Sequence, residues 1–320
     1  MSNGIIDFTD LEQVYLVAVD GKESRNDSTA ITVEGAGKVE VSGKTVQIIG
    51  SIDVKDANSE STVNMTLSGK DSFWYGSVIG DSSTKNSVDV TLKDGASWIF
   101  YKSGSLGSTW FGGGGGRLSN LTLDGGVVVL DEDIIKSTYA STEIGDTGKY
   151  LSEYRTDEGK HSAVNITNLK GAGIFKIDLD WATNKGSKYY SSNSDFINIT
   201  NSEASTQQFV EFNHDKAHLG DMAVGNKLYF AKVTDGNTSF VTSADGLVEN
   251  RADEVNDFYY GTESESINQY GTNYTYYFLT KKAFNYNNEN VTFTKGATQA
   301  SYLLATEMDT LNKRRGESRY

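Results

Sequence analysis

Short runs of strict apolar/polar alternation dominate the chain. Ile31/Val33, Val39/Val41, Val46/Ile48, Ile52/Val54, Val63/Met65/Leu67, Val88/Val90/Leu92 and Leu121/Leu123 each put apolar side chains on one face. The residues between them, such as Thr32, Glu40, Asn64, Thr66, Asp89 and Thr91, are polar and compatible with strands. Gly, Asn, Asp or Ser breaks the pattern every few residues and leaves little room for a helix. The fold class predicted is all-β.

The alternation also repeats. VNMTLSGKDSFW from Val63 aligns with VDVTLKDGASWIF from Val88, about 25 residues on, matching Thr66 to Thr91, Leu67 to Leu92, Ser72 to Ser97 and Phe73 to Trp98. LTLDGG supplies a third copy at Leu123, after the Gly-rich run Gly112 to Gly116. A unit of this size is too small to close a core, but stacked on copies of itself it buries one continuous apolar column. The pattern therefore predicts a right-handed parallel β-helix, a β-solenoid. The alternative is an antiparallel sandwich, whose strands need not resemble one another at a fixed period. The missing proline also fits a ladder of stacked strands.

Beyond about residue 180 the texture changes to longer polar gaps and clustered aromatics: Phe258, Tyr259, Tyr260, Tyr270, Tyr274, Tyr276, Tyr277 and Phe278. An open solenoid end is a raw sheet edge that needs covering, so this segment reads as an aromatic-rich β cap. At the C-terminus, Ala300, Leu303, Leu304, Met308 and Leu311 recur at helical spacing, with Lys313, Arg314 and Arg315 complementing the helix dipole. This short C-terminal helix is the one helix predicted.

Composition narrows the function classes. With no cysteine, no disulfide, thiolate metal site or cysteine nucleophile exists. Asp and Glu outnumber Lys and Arg by 43 to 29, a net charge of −14 that argues against nucleic acid as a partner. No run is long and apolar enough for a membrane helix, and MSNGIIDFTDLEQVYL lacks the basic start and apolar stretch of a signal peptide. The expectation is a cytosolic chain or a piece of something longer, and the missing cysteines favour a piece of an exported chain.

Candidate chemistry is sparse. His214 and His218 of HDKAH have the spacing for a shared metal on a helix but lack the glutamate of a zincin and read as a solvated loop. His161 follows the polar run DEGK. GAGKVEVSGKT has the wrong glycine spacing for a phosphate loop and reads as turn–strand–turn. The Gly112–Gly116 run lacks the Lys-Ser/Thr step. There is no GxSxG elbow. Asp131-Glu-Asp133 is a Ca²⁺ candidate without the glycine of an EF-hand loop. Asp178, Asp180 and Asp195 would lie together if their strands stack. No catalytic, cofactor-binding or metal residue is assigned, and no cofactor is expected. Trp98, Trp110 and Phe111 beside the Gly-rich run are the candidate ligand contacts, since aromatics stack on sugars; the bland alternative is that they fill the core.

The C-terminal half resembles the pertactin-like passenger region of bacterial autotransporters, the type V secretion family. Leu169, Gly171, Gly173 and Phe175 follow its L-x-G-x-G-x-F pattern with one residue allowed for Ile174, and Asp195, Ile197 and Ile199 follow its D-x-L-x-I strand with Phe196 between. Leu311, Asn312, Arg314, Gly316, Glu317 and Arg319 match the linker that opens the family's β-barrel. The resemblance covers about 160–320, and since the family's β-barrel would begin where the sequence ends, the expectation is a fragment. It implies β-helix rungs over 1–160, a passenger and autochaperone region over 161–295, and a helical linker over 296–320. The folding nucleus would comprise Leu169, Gly171, Gly173, Phe175, Ile177, Leu179, Trp181, Asp195, Ile197 and Ile199. It further implies an extracellular location on the bacterial surface, linked to the outer membrane, with the protein's own barrel as partner. The role expected is a non-catalytic stalk and folding nucleus for secretion. An adhesin binding host glycans or matrix and a β-helix lyase or hydrolase are the alternatives.

Overall fold

The computed structural model describes residues 4–18, 29–55, 60–80, 85–100, 118–153, 163–184, 194–236, 238–246, 248–249, 258–269 and 271–283. The chain is all-β. Its first nine strands are β1 (Gly4–Val17), β2 (Thr29–Val33), β3 (Gly37–Ile49), β4 (Ser51–Val54), β5 (Thr62–Ser68), β6 (Phe73–Gly76), β7 (Val78–Gly80), β8 (Ser87–Lys93) and β9 (Ser97–Phe100). They are followed by β10 (Leu118–Val129), β11 (Ala163–Lys176), β12 (Phe196–Ser202), β13 (Gln207–Glu211), β14 (Lys227–Asp235), β15 (Ser239–Thr242), β16 (Val248–Glu249), β17 (Phe258–Gln269) and β18 (Thr272–Ala283).

From β1 to β10, neighbours in space are mostly not neighbours in sequence. β1 pairs with β3, β3 with β5, β5 with β8, β8 with β10, β10 with β11, β11 with β12 and β12 with β14, every pair parallel. The long strands β3 and β10 also take second partners beyond their midpoints, β6 and β9, and β6 pairs with β9. The path β10-β8-β5-β3-β6-β9 thus returns to β10 and closes a ring of six parallel strands. The remaining strands extend it, and β2, β4 and β7 form a separate parallel sheet.

The repeat read from sequence is visible in the register. Val63 faces Val88, and Leu67, Leu92 and Leu123 are successive partners, all buried. The aromatic half of that alignment shifts by one residue: Phe73 pairs with Ser97, and Trp74, not Phe73, pairs with Trp98. The turn after β5 holds one residue more than the turn after β8, and two glycines at left-handed φ, Gly69 and Gly95, make those turns. The run GAGKVEVSGKT is also corrected. Gly37–Ile49 is one continuous strand, with Gly43 packed so closely under β1 that a Cβ would lie 2.7 Å from the Leu11 carbonyl oxygen.

The core has two layers. Inside, Val41, Met65, Val90, Leu121 and Leu169 follow one another in register. Trp74 and Trp98 stack at 5.0 Å and 4°, and their indole N–H groups each donate at 3.0 Å to the carbonyls of Gly50 and Gly76. On the outside of β6 and β9, Phe73, Tyr75, Ile99 and Val129 are covered by Ile135, Ile144 and Leu151. These come from the short helical turns of residues 131–153, which Gln47 anchors by accepting from the Gly145 N–H at 2.9 Å. The described residues between 30 and 130 therefore carry aromatic side chains on both sides of β6 and β9.

Along the main path parallel pairing stops at β14, while β13 and β15 add a parallel branch on β11. On β14, β18 runs antiparallel, forms a long hairpin with β17, and buries Tyr276, Tyr277 and Phe278, with Tyr260 from β17. This is where an aromatic-rich cap was expected. The C-terminal helix and the 296–320 linker, including Leu311, Asn312, Arg314, Gly316, Glu317 and Arg319, lie outside the described residues.

Candidate functional site

The clearest concentration of chemistry lies where β10 and β11 end. Leu130 and Asp131 donate their backbone N–H groups to the Lys176 carbonyl, at 2.8 and 3.1 Å. Asp131 then turns inward and caps the helical turn that follows, accepting from the N–H groups of Asp133 at 2.9 Å and Ile134 at 3.0 Å. Carboxylate oxygens of Asp131, Asp133 and Asp178 all lie within 4.8 Å of one another. Asp195 holds Asp178 in place, its carboxylate accepting from the Asp178 N–H at 2.8 Å while its own N–H donates to the Asp178 carbonyl at 2.8 Å. Lys216, from the turn before β14, forms an ion pair with Asp133.

Burial decides the electrostatics. Asp131 is 1% exposed, and desolvation pushes its carboxyl above the ordinary carboxylate range despite the two N–H donors. A hydrogen bond to the Asp133 carboxylate pushes the Lys216 ammonium up. Three carboxylates are a partial ligand set for a hard cation such as Ca²⁺, which takes six to eight oxygens. As built, the Asp133 and Ile134 N–H groups on Asp131 and the Lys216 cation on Asp133 already engage the trio, so it acts as a brace tying residues 131–134 and 213–218 to β11.

The other sequence candidates separate. Asp178 and Asp195 are brought together, but Asp180 accepts instead from His218, Nδ1 to Oδ1 at 2.8 Å. His214 stacks on Phe212 and reaches Ser243 Oγ at 3.0 Å, so HDKAH is the turn expected and its histidines take different partners. Trp98, offered as a ligand contact, is 1% exposed and lies between Trp74 and Phe100, so it fills the interior. That is a correction: β-strand alternation turns Trp98 inward. Trp110 and Phe111, with the Gly-rich run and His161, lie outside the described residues.

Seven of the ten residues of the expected folding nucleus belong to the one large apolar core cluster. Leu169, Phe175, Ile177, Leu179, Trp181, Ile197 and Ile199 are all buried, and Asp195 is buried with them. The two glycines have steric reasons. Gly171 sits at φ +71° where a Cβ would be 2.1 Å from the Leu123 carbonyl oxygen, and at Gly173 it would be 2.6 Å from that of Gly126. The Leu67–Leu92–Leu123 column ends there, because Gly171 is the next register partner.

Sequence reading missed the row of polar partners on the outer face: Glu40, Asn64, Asp89, Asn120, Asn168, Asn201 and Asp235. Side-chain amides link it, with Asn64 donating to Glu40 at 2.8 Å, Asn168 to Asn120 at 2.8 Å and Asn201 to Asn168 at 2.9 Å. The signal was present as Asn or Asp two residues before each repeated Thr. No protein-family model matches this chain, and no curated protein or solved structure matches it either.

Proposed function

We propose that this chain is a non-catalytic autotransporter passenger, a right-handed β-helical stalk whose C-terminal part nucleates folding at the bacterial surface. The observation that carries the reading is the stacking itself. Successive strands skip their chain neighbours and pair, parallel and in register, with the equivalent strand one repeat later. The three sets β3-β5-β8, β3-β6-β9 and β4-β7 are then three faces of one coil, and the six-strand ring arises because β3 and β10 each run across two faces. The right hand follows from the general handedness of parallel crossovers.

The stalk's function rests on this one-dimensional order. Each rung contacts only the rungs beside it, so a stable terminal unit templates the next. Outside the cell, without ATP, a chain that emerges C-terminus first folds vectorially if its last-made rungs are the most stable. Burial of the nucleus residues and the switch to an antiparallel hairpin at β18 favour that end, since long-range parallel pairing is otherwise slow and prone to aggregation. The partner in this reading is the protein's own outer-membrane β-barrel, and the location is the cell surface.

The test is to express residues 1–160 and 161–295 separately. The reading expects 161–295 to unfold cooperatively in urea and 1–160 to aggregate unless 161–295 is supplied. A 1–160 fragment that folds alone as stably as 161–295 would sink it.

A further inference from the structure

The amide row on the outer face runs in one sense. Asn120 donates its Nδ2 to Asp89 at 2.5 Å, Asn168 donates to Asn120 and Asn201 to Asn168, each from the later strand to the earlier. Asn64 does the same toward Glu40, and in a neighbouring row Asn198 donates to Asn165 at 3.2 Å. Asp89 fixes this sense, because a carboxylate only accepts. Asn120 must turn its Nδ2 to β8, which leaves its Oδ1 for Asn168 on β11 and hands the same choice on to Asn201 on β12. Asn168 is tied twice, its Nδ2 also donating to the Ser119 carbonyl at 3.2 Å. The inward columns are less selective. A two-residue slip of β10 on β8 keeps every side chain on its own face and sets Leu121 opposite Val88 and Leu123 opposite Val90, where they now meet Val90 and Leu92. The core stays apolar, but Asn120 then faces Ser87, and Thr122 faces Asp89.

We propose that this row is the register key of the parallel stack. The donor–acceptor matches Asn120–Asp89, Asn168–Asn120 and Asn201–Asn168 reject the two-residue slips that the apolar columns accept. A slipped β10 gives up the bond from Asn120 to Asp89, and a carboxylate acceptor makes that bond stronger than a neutral one. Asparagine sets register in the same way in coiled coils, where the apolar positions around it are interchangeable. Here the key lies on a half-buried outer face, so it adds selectivity without placing polar groups in the core.

The test uses the full chain, which has no cysteine of its own. Thr91→Cys with Thr122→Cys reports the native register, because the two residues are strand partners. Thr91→Cys with Asp124→Cys reports the slip, since in the native register their Cα atoms stand about 8 Å apart, beyond the roughly 7 Å that a disulfide spans. Each pair is refolded from urea under air oxidation, and the disulfide yield is read by mass spectrometry. Asn120→Asp is close in shape but removes the donor, and it should raise the slipped yield relative to the native one about fivefold. Adding Asp89→Asn should restore the parent ratio, because the new amide on β8 then donates to the new carboxylate on β10. If Asn120→Asp does not refold, Asn120→Ser loses the reach to Asp89 without adding charge and should show the same rise. A slipped yield that stays at the parent level in the variants that refold, or a double variant no better than Asn120→Asp, would overturn the proposal.

Discussion

The two ends of the strand stack solve the same edge problem differently. At the N-terminal end, β1 pairs among the described strands with β3 only, and Ile5, Ile6 and Leu11 are 72%, 52% and 44% exposed. Ile6 stands in register with the buried Val39, so it belongs to the core column by position and lacks a strand above it among the described residues. At the C-terminal end, β18 reverses direction on β14, and the residues that meet there, Tyr229, Tyr276 and Phe278, are buried against one another. The difference teaches that a parallel stack does not end by its own rule. It is closed by a change of strand direction, with large aromatics supplying the area that the next parallel strand would have supplied.

Core truncation should have the largest effect and sharpen the contrast most. Phe175→Ala should cost about 3–5 kcal/mol and Leu92→Ala about 2–5 kcal/mol, read from urea denaturation. Kinetics separate them: if the C-terminal region nucleates, Phe175→Ala slows refolding while Leu92→Ala mainly speeds unfolding. Equal slowing of refolding by both would erase the distinction.

Next come the glycines. Gly69 and Gly171 both hold φ near +80° and +70°, but only Gly171 has backbone where a Cβ would go. Gly69→Ala should cost about 1–2 kcal/mol for the left-handed conformation alone. Gly171→Ala must add the clash with Leu123 and should lower the calorimetric melting temperature further. A Gly171→Ala variant no worse than Gly69→Ala would mean that β11 shifts easily and is no rigid template.

The open end offers a smaller effect. Ile6→Lys should change stability by no more than about 0.5 kcal/mol, because the side chain is half exposed, while reducing self-association seen by light scattering. The matching change at the closed end, Tyr277→Lys, should unfold the region, since it removes a buried ring and its 2.6 Å hydrogen bond to the Thr238 carbonyl.

The smallest expected effect is electrostatic. The Asp131 carboxyl titrates above its ordinary 3.8 in the folded chain because it is buried. The folded state therefore holds this proton more tightly than the unfolded one, and the contribution of Asp131 to stability falls as pH rises through the window above 3.8. Asp131→Asn keeps an acceptor for the Asp133 and Ile134 N–H groups and removes the charge. Thermal melts should show the variant gaining on the parent at neutral pH and losing that advantage near pH 4; a constant difference at all pH values would contradict the burial argument.

Alternation in Val39/Val41, Val63/Met65/Leu67 and Val88/Val90/Leu92 determined which side chains face inward, because a strand's period of two leaves each residue only one face. The repeat likewise fixed that Leu67, Leu92 and Leu123 share a column. It did not fix the aromatic register, since turn length is set by left-handed Gly69 and Gly95 and not by similarity, and so Trp74 rather than Phe73 met Trp98. The acidic brace was half visible, as Asp131 with Asp133 and Asp178 with Asp195, but their convergence and the choice of Lys216 as counter-ion depend on partners far along the chain. Only the tertiary structure decided those, together with the inward turn of Trp98 and the cover over β6 and β9, because local periodicity specifies a face and only packing specifies what lies against it.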